Sequence, residues 1–85
     1  MTRKSLTIRN EEGLQARPAA LLVQVAGGFT SSLWVEQGSK RVNAKSIMGV
    51  LSLRLKKGDS FNIAAAGDDE QAAVDAITQL IEEEL

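Results

Sequence analysis

The sequence predicts an α+β fold of the open-faced β-sandwich kind, in the order β-α-β-β-α-β-α, with a four-stranded antiparallel sheet and three helices on one face. Three observations carry that expectation. Apolar residues alternate at Leu6 and Ile8, and again at Phe61, Ile63 and Ala65, the period of half-buried strands. A Gln37-Gly38-Ser39 turn joins two short alternating runs, the pattern of a hairpin. Two further stretches, one opening at Pro18 and one running to Ile81, carry apolar residues at helical spacing.

The elements follow in order. Lys4 to Ile8 reads as the first strand, and Asn10-Glu11-Glu12-Gly13 as a polar turn. Pro18 suits the first turn of a helix, where a missing N–H costs nothing. From there to Ala26 only Gln24 is polar, and Gly27-Gly28 stops the helix. Ser32 to Glu36 is the second strand, with Leu33 and Val35 on one face and Trp34 on the other. Lys40 to Asn43 returns as a short third strand around Val42.

Ser46 is a good N-cap residue, and the segment from Ile47 to Leu53 has helical apolar spacing, although Gly49 is a poor interior residue. Lys56-Lys57-Gly58-Asp59 is a turn before the fourth strand. Asp68 is the expected N-cap of the last helix, with Gln71 completing a capping box. Val74, Ile77 and Ile81 form its buried stripe, and Glu82-Glu83-Glu84 should fray at the unfavourable end of the helix dipole.

Composition narrows the function. The chain has 85 residues, enough for one small domain spanning 1–85, and 44% of them are apolar, enough for a packed core. Ten basic and eleven acidic side chains leave a net charge of −1, which argues against a general nucleic-acid or membrane-surface binder. There is no cysteine, hence no disulfide, thiolate nucleophile or cysteine metal site. There is also no histidine, the usual general base near neutral pH. No run is long enough to span a bilayer and the N-terminus lacks a signal-peptide core, so a soluble cytoplasmic protein is expected, without metal or cofactor.

Four groups invite a functional reading, each beside a plainer one. Arg17, with Gln15 at a helix mouth, could hold an anion or phosphate; on sequence pattern alone a solvent-exposed arginine at an ordinary helix start is the preferred explanation. Ser46 is accounted for by capping, yet an exposed N-cap serine is also a suitable phosphorylation acceptor, since the new charge meets the positive helix end. Ile47, Val50 and Leu51 read as a buried stripe, with Met48 outside it as a candidate for an adaptable protein-binding surface. The acidic groups Glu11-Glu12 and Asp68-Asp69-Glu70 read as solvated, with no metal spacing. No nucleotide loop or nucleophile–base pair is present, so no catalytic residue is expected.

Taken together, GLQARPA at 13–19 and VNAKSIMGVLSL at 42–53 resemble the HPr family, the small phosphocarriers of the bacterial sugar phosphotransferase system. Length and element order resemble that family from end to end. The resemblance implies a histidine at the position held here by Gln15, the group that takes a phosphoryl from enzyme I. Its replacement points to the catabolite-repression HPr branch, Crh, of Bacillus-type bacteria. An imidazole nitrogen can attack phosphorus, whereas the amide lone pair of Gln15 is delocalised into its carbonyl, so carrier chemistry is not expected.

The resemblance further implies that Ser46 is modified by an ATP-dependent HPr kinase/phosphorylase. The modified form would then act as corepressor for catabolite control protein A, a LacI-type DNA-binding regulator. Gln15, Arg17, Lys45, Ile47, Met48 and Leu51 would contact that partner, and DNA would be reached only through it. Leu51 is often methionine in the family. The alternatives are a phosphocarrier whose histidine has been replaced, or transfer through another residue. The short Asn10–Gly13 turn also permits strand exchange into a homodimer.

Overall fold

The computed structural model describes all residues 1–85. Strand β1 (Thr2–Thr7) leads through a turn to α1 (Ala16–Gly27); the hairpin β2 (Ser32–Gln37) and β3 (Lys40–Asn43) precedes α2 (Ile47–Ser52). Strand β4 (Ser60–Ala66) then leads to α3 (Glu70–Gln79), which continues into a π-helical turn over Leu80–Glu84. All pairings are antiparallel and the spatial order is β1-β4-β2-β3. The last strand in the chain is therefore inserted beside the first, and β1 and β3 form the edges.

The expected α+β architecture is observed, and the two-residue period of the strands explains its layers. Leu6, Leu33, Val35, Phe61, Ile63 and Ala65 are buried on the helical face of the sheet. They meet Ala19, Leu22 and Ala26 of α1, Val50 of α2, and Ala73, Val74 and Ile77 of α3. A fully buried Leu or Ile contributes roughly 2 kcal/mol, well above a typical exposed ion pair. The apolar layer, rather than surface charge, thus holds the helices on the sheet. On the open face Arg3 donates to Glu36 at 2.9 Å, and Arg41 lies 3.9 Å over the Trp34 ring.

Element boundaries differ from expectation where long-range partners decide them. β1 begins at Thr2, because Thr2 and Arg3 pair with Ala65 and Ala64, and ends before Ile8. α1 begins at Ala16, two residues ahead of Pro18, with extended Gln15 as its cap residue. The capping box at Asp68 and Gln71 does not form. Asp69 occupies the cap position without capping by its side chain, and Gln71 reaches forward to Asp75 at 3.0 Å.

The acidic group at 68–70 is not simply solvated either. The Asp69 carboxylate accepts from the Thr30 N–H at 2.9 Å, the Ser31 N–H at 3.0 Å and the hydroxyls of both residues. Its pKa is held down at about 2, chiefly by the Ser31 hydroxyl and the Thr30 amide. Glu70 accepts from the Thr2 hydroxyl at 2.6 Å and the Gly67 N–H at 3.1 Å, and these bonds hold its pKa below the usual range. Glu11 is likewise paired, with Lys57 at 2.6 Å. At the C-terminus the expected fraying gives way to an i→i+5 turn closed by Leu85 N–H on the Leu80 carbonyl at 3.1 Å. Buried Leu80 and Ile81 anchor it.

Candidate functional site

The site is positioned by a close crossing of two loops. Gly13 has φ +67° and lies directly against the strand-like segment after α2; an added Cβ would stand 2.9 Å from Lys56 Cα and closer still to the Leu55 carbonyl. Only glycine allows that approach. Leu14 N–H then donates to the Leu55 carbonyl at 2.9 Å, and Asn10 Nδ2 to the Gly13 carbonyl at 2.9 Å. Buried Leu14 locks the crossing, so the next residue, half-buried Gln15, is delivered beside the segment Leu53–Lys56. Ala16 follows with φ +47°, a left-handed conformation that L-residues adopt at a cost of about 1–2 kcal/mol.

Helix α2 carries the second half. The Ser46 Oγ accepts from Gly49 N–H at 3.2 Å, and its carbonyl accepts from Val50 N–H at 3.0 Å, so the expected N-cap is formed. Ser46 is half-buried, with its own N–H given to the Asn43 carbonyl at 3.0 Å. Gly49 sits in the helix because a Cβ there would stand 3.3 Å from Val42 Cβ and 3.4 Å from Ser46 Oγ. The helix thus lies close on β3, which outweighs glycine's poor propensity.

The predicted buried stripe of α2 is corrected in part. Val50 is fully buried, but Leu51 is half-buried, Ile47 is 38% exposed and Met48 is 74% exposed. A helix of six residues has room for one fully buried position, so Ile47 and Met48 remain in solvent. Ile47 and Leu51 are four apart, and Met48 and Leu51 three apart, so the three share one side of the helix.

Two shallow depressions flank Gln15 and Arg17. Gln15, Leu51, Arg54 and Lys56 line one. Arg17 lies on the other, with Asn10, Glu12, Pro18, Leu21, Glu84 and Leu85. Arg17 is exposed and makes no ion pair. The predicted residues Gln15 and Leu51 are therefore brought together directly. Lys45 is not gathered with them: its ammonium donates to the Phe29 carbonyl at 2.7 Å, beyond the C-terminal end of α1. Gln15 stands at the opposite end of that helix, about 18 Å away at 1.5 Å per residue over twelve residues.

Arg54 and Lys56 were missed by sequence reasoning. Their signal was the alternation of Leu53, Arg54, Leu55 and Lys56, in which the leucines are buried and the cations exposed. Chemically, the site offers donors and apolar surface but no nucleophile–base pair, because Gln15 is an amide and the chain has no histidine.

The family model for the HPr component of the phosphotransferase system, described by its phosphorylation site, matches residues 2–83. The chain belongs to the HPr family. Within this family it is 46% identical over 84 residues to the HPr-like protein Crh of Halalkalibacterium halodurans, covering 99% of this chain and all of that one. Its fold superposes on the crystal structure of HPr-C-His from Thermoanaerobacter tengcongensis with a TM-score of 0.96 and 49% identity, covering 99% and 94% of the two chains. Crh of Bacillus subtilis, whose crystal structure is described as a dimer with a swapping domain, matches at a TM-score of 0.79 and 45% identity, over 100% and 98% of the chains. Both likenesses extend over the whole HPr fold, so the site lies within the shared region rather than in an appended segment.

Proposed function

We propose that this HPr-family chain is a cytoplasmic, non-catalytic regulatory module switched by phosphorylation of Ser46. In this reading HPr kinase/phosphorylase adds and removes the phosphate. The phosphorylated form binds catabolite control protein A as corepressor, and DNA is reached only through that repressor. The observation that carries the reading is the pairing of a half-buried N-cap serine with exposed Ile47 and Met48, in a chain whose Gln15 cannot take a phosphoryl group.

Phosphorylation would add about −1.5 to −2 charge and three acceptor oxygens at the start of α2. The Gly49 N–H that now bonds the hydroxyl can bond a phosphate oxygen, so the domain keeps its shape while its surface changes. The phosphate then supplies the differential affinity on which any switch depends. Arg17, uncommitted to any carboxylate of its own chain, is free to meet the partner. The swapped dimer described for the Bacillus subtilis relative supports a homodimer here, with β1, an edge strand paired only to β4, as the exchanged element. Light scattering over a concentration series would detect it.

The decisive experiment treats the protein with HPr kinase and ATP, maps the modified residue, and measures repressor binding. Modification of Ser46 with binding gained only by the modified form is expected. Equal binding by both forms would refute the switch. Phosphoryl transfer from phosphoenolpyruvate and enzyme I onto the chain would restore a carrier reading.

A further inference from the structure

Arg54 stands out among the residues that the proposed switch does not use. It follows Leu53, the C-cap residue of α2, and donates its N–H to the Leu51 carbonyl at 3.1 Å, with φ +52°. That is the left-handed position after a helix end, where glycine is the usual occupant because a Cβ is disfavoured there. An arginine at this position carries backbone strain, and such strain persists where surrounding structure imposes it. Here the surroundings are the Leu14–Leu55 hydrogen bond and the buried side chains Leu53 and Leu55. They fix the direction of the intervening residue, and Lys56 emerges two residues on from the same outer side.

Neither cation is matched. The chain's ion pairs are Met1–Glu70, Arg3–Glu36, Arg41–Glu36 and Lys57–Glu11. The Asp59 carboxylate engages the backbone of Lys56, not its ammonium, accepting from the Lys56 N–H at 2.8 Å. Arg54 and Lys56 thus line a shallow depression with Gln15 and Leu51, and this depression adjoins the exposed Ile47–Met48 side of α2. It contrasts with the nearby Arg17 depression, which holds carboxylates of its own in Glu12 and Glu84.

We infer that Arg54 and Lys56 form an electrostatic extension of the docking surface that receives carboxylate side chains of the partner protein. The inference rests on the docking reading above and adds the partner's chemistry: an acidic patch next to the group that recognises the Ser46 phosphate. The depression is open and has a single apolar wall, which suits an aspartate or glutamate at an interface rim rather than an enclosed small molecule. Rim charges act mainly on association rate and salt dependence.

Two arms test it. In the first, the unphosphorylated full chain is titrated with hexaglutamate and followed by amide chemical shifts, with a Gly-Ser hexapeptide and sulfate at equal ionic strength as controls. Shifts centred on Gln15, Leu51, Arg54 and Lys56, given by hexaglutamate alone and lost in the Arg54→Gly/Lys56→Ala variant, are expected. Shifts spread over Lys4 and Lys40, or equal shifts with sulfate, would overturn the inference whatever the repressor does.

In the second arm, Ser46-phosphorylated wild type and variant are compared for repressor binding across a salt series. The variant should bind about three- to tenfold more weakly at low salt, with a shallower salt dependence. Unchanged affinity and slope would overturn the inference. If the repressor fails to bind even wild type while the hexaglutamate result holds, the corepressor reading alone falls. A purely structural role for Arg54, such as favouring the α2 C-terminal dipole, predicts that Arg54→Gly lowers the melting temperature. The docking role predicts an equal or higher one, because glycine relieves the strained φ.

Discussion

The start of α3 and the surface around α2 are built from opposite uses of charge. At α3 the carboxylates are spent within the chain: Asp69 clasps Thr30 and Ser31, and Glu70 clasps Thr2, Gly67 and the N-terminal ammonium at 3.3 Å. Around α2 the charged and apolar groups are left without internal partners, as with Arg17, Arg54, Lys56 and Met48. The first region closes the domain by tying β1, the α1–β2 loop and α3 together. The second exposes what a partner can use. In the proposed reading, stability and recognition rest on different residues, and substitutions should separate them.

The largest effect is expected from Gly13→Ala, which strikes the crossing that sets Gln15 beside the segment after α2 and leaves the contacts at the start of α3 untouched. Combining a left-handed non-glycine residue with overpacking against Leu55 and Lys56 should cost roughly 2–5 kcal/mol. A fall in the urea midpoint at unchanged m-value would measure it. An unaltered midpoint would mean that the crossing is looser than the close approach requires.

Asp69→Asn comes next and acts on the frame alone. Because the folded pKa of about 2 lies below the ordinary 3.8, the carboxylate's contribution is fully present above pH 4. It should be lost as the pH falls from 4 towards 2. Wild type should therefore lose stability over that window, and the variant should be less stable at pH 7 with a flatter acid limb. Chemical denaturation at a series of pH values would reveal either pattern. Parallel acid limbs would show that Asp69 is not the group responsible.

Ser46→Ala should lower stability by about 1 kcal/mol through loss of the cap, yet abolish modification by the kinase. Ser46→Asp should retain the cap and most of the stability. Smallest of all on the fold is Met48→Ala, expected within about 0.5 kcal/mol of wild type because the side chain is exposed. It should weaken repressor binding severalfold. If Met48→Ala instead destabilised the domain, the side chain would belong to the frame.

The comparison also marks what could be read from the sequence. The strands, both long helices and the Ser46 cap were legible because their signals are local: alternation, apolar stripes, and a hydroxyl before an apolar run. The start of α3 was not legible in the same way. Asp68 and Gln71 have a capping spacing, but Asp69 is held by Thr30 and Ser31, whose approach no local pattern records. Ile47 fitted a buried stripe by spacing, and its exposure follows from how few residues α2 has. Arg54 escaped notice because its left-handed φ depends on the helix ending at Ser52 with Leu53 as its cap. Lys45 fell beside the other site residues in sequence, and the Phe29 carbonyl takes its ammonium to the far end of α1.

The stacking of Arg41 on Trp34 has a practical consequence for all of these experiments. Trp34 is the only tryptophan, and it stands half-buried on the side of the sheet that carries no helices. Its emission should change when the sheet comes apart and the guanidinium leaves the ring. A protein seated over Met48 and Gln15 sits on the opposite layer and should leave that signal steady. The molecule thus carries a built-in optical reporter of its own unfolding, placed on the face of the sheet that carries no helices.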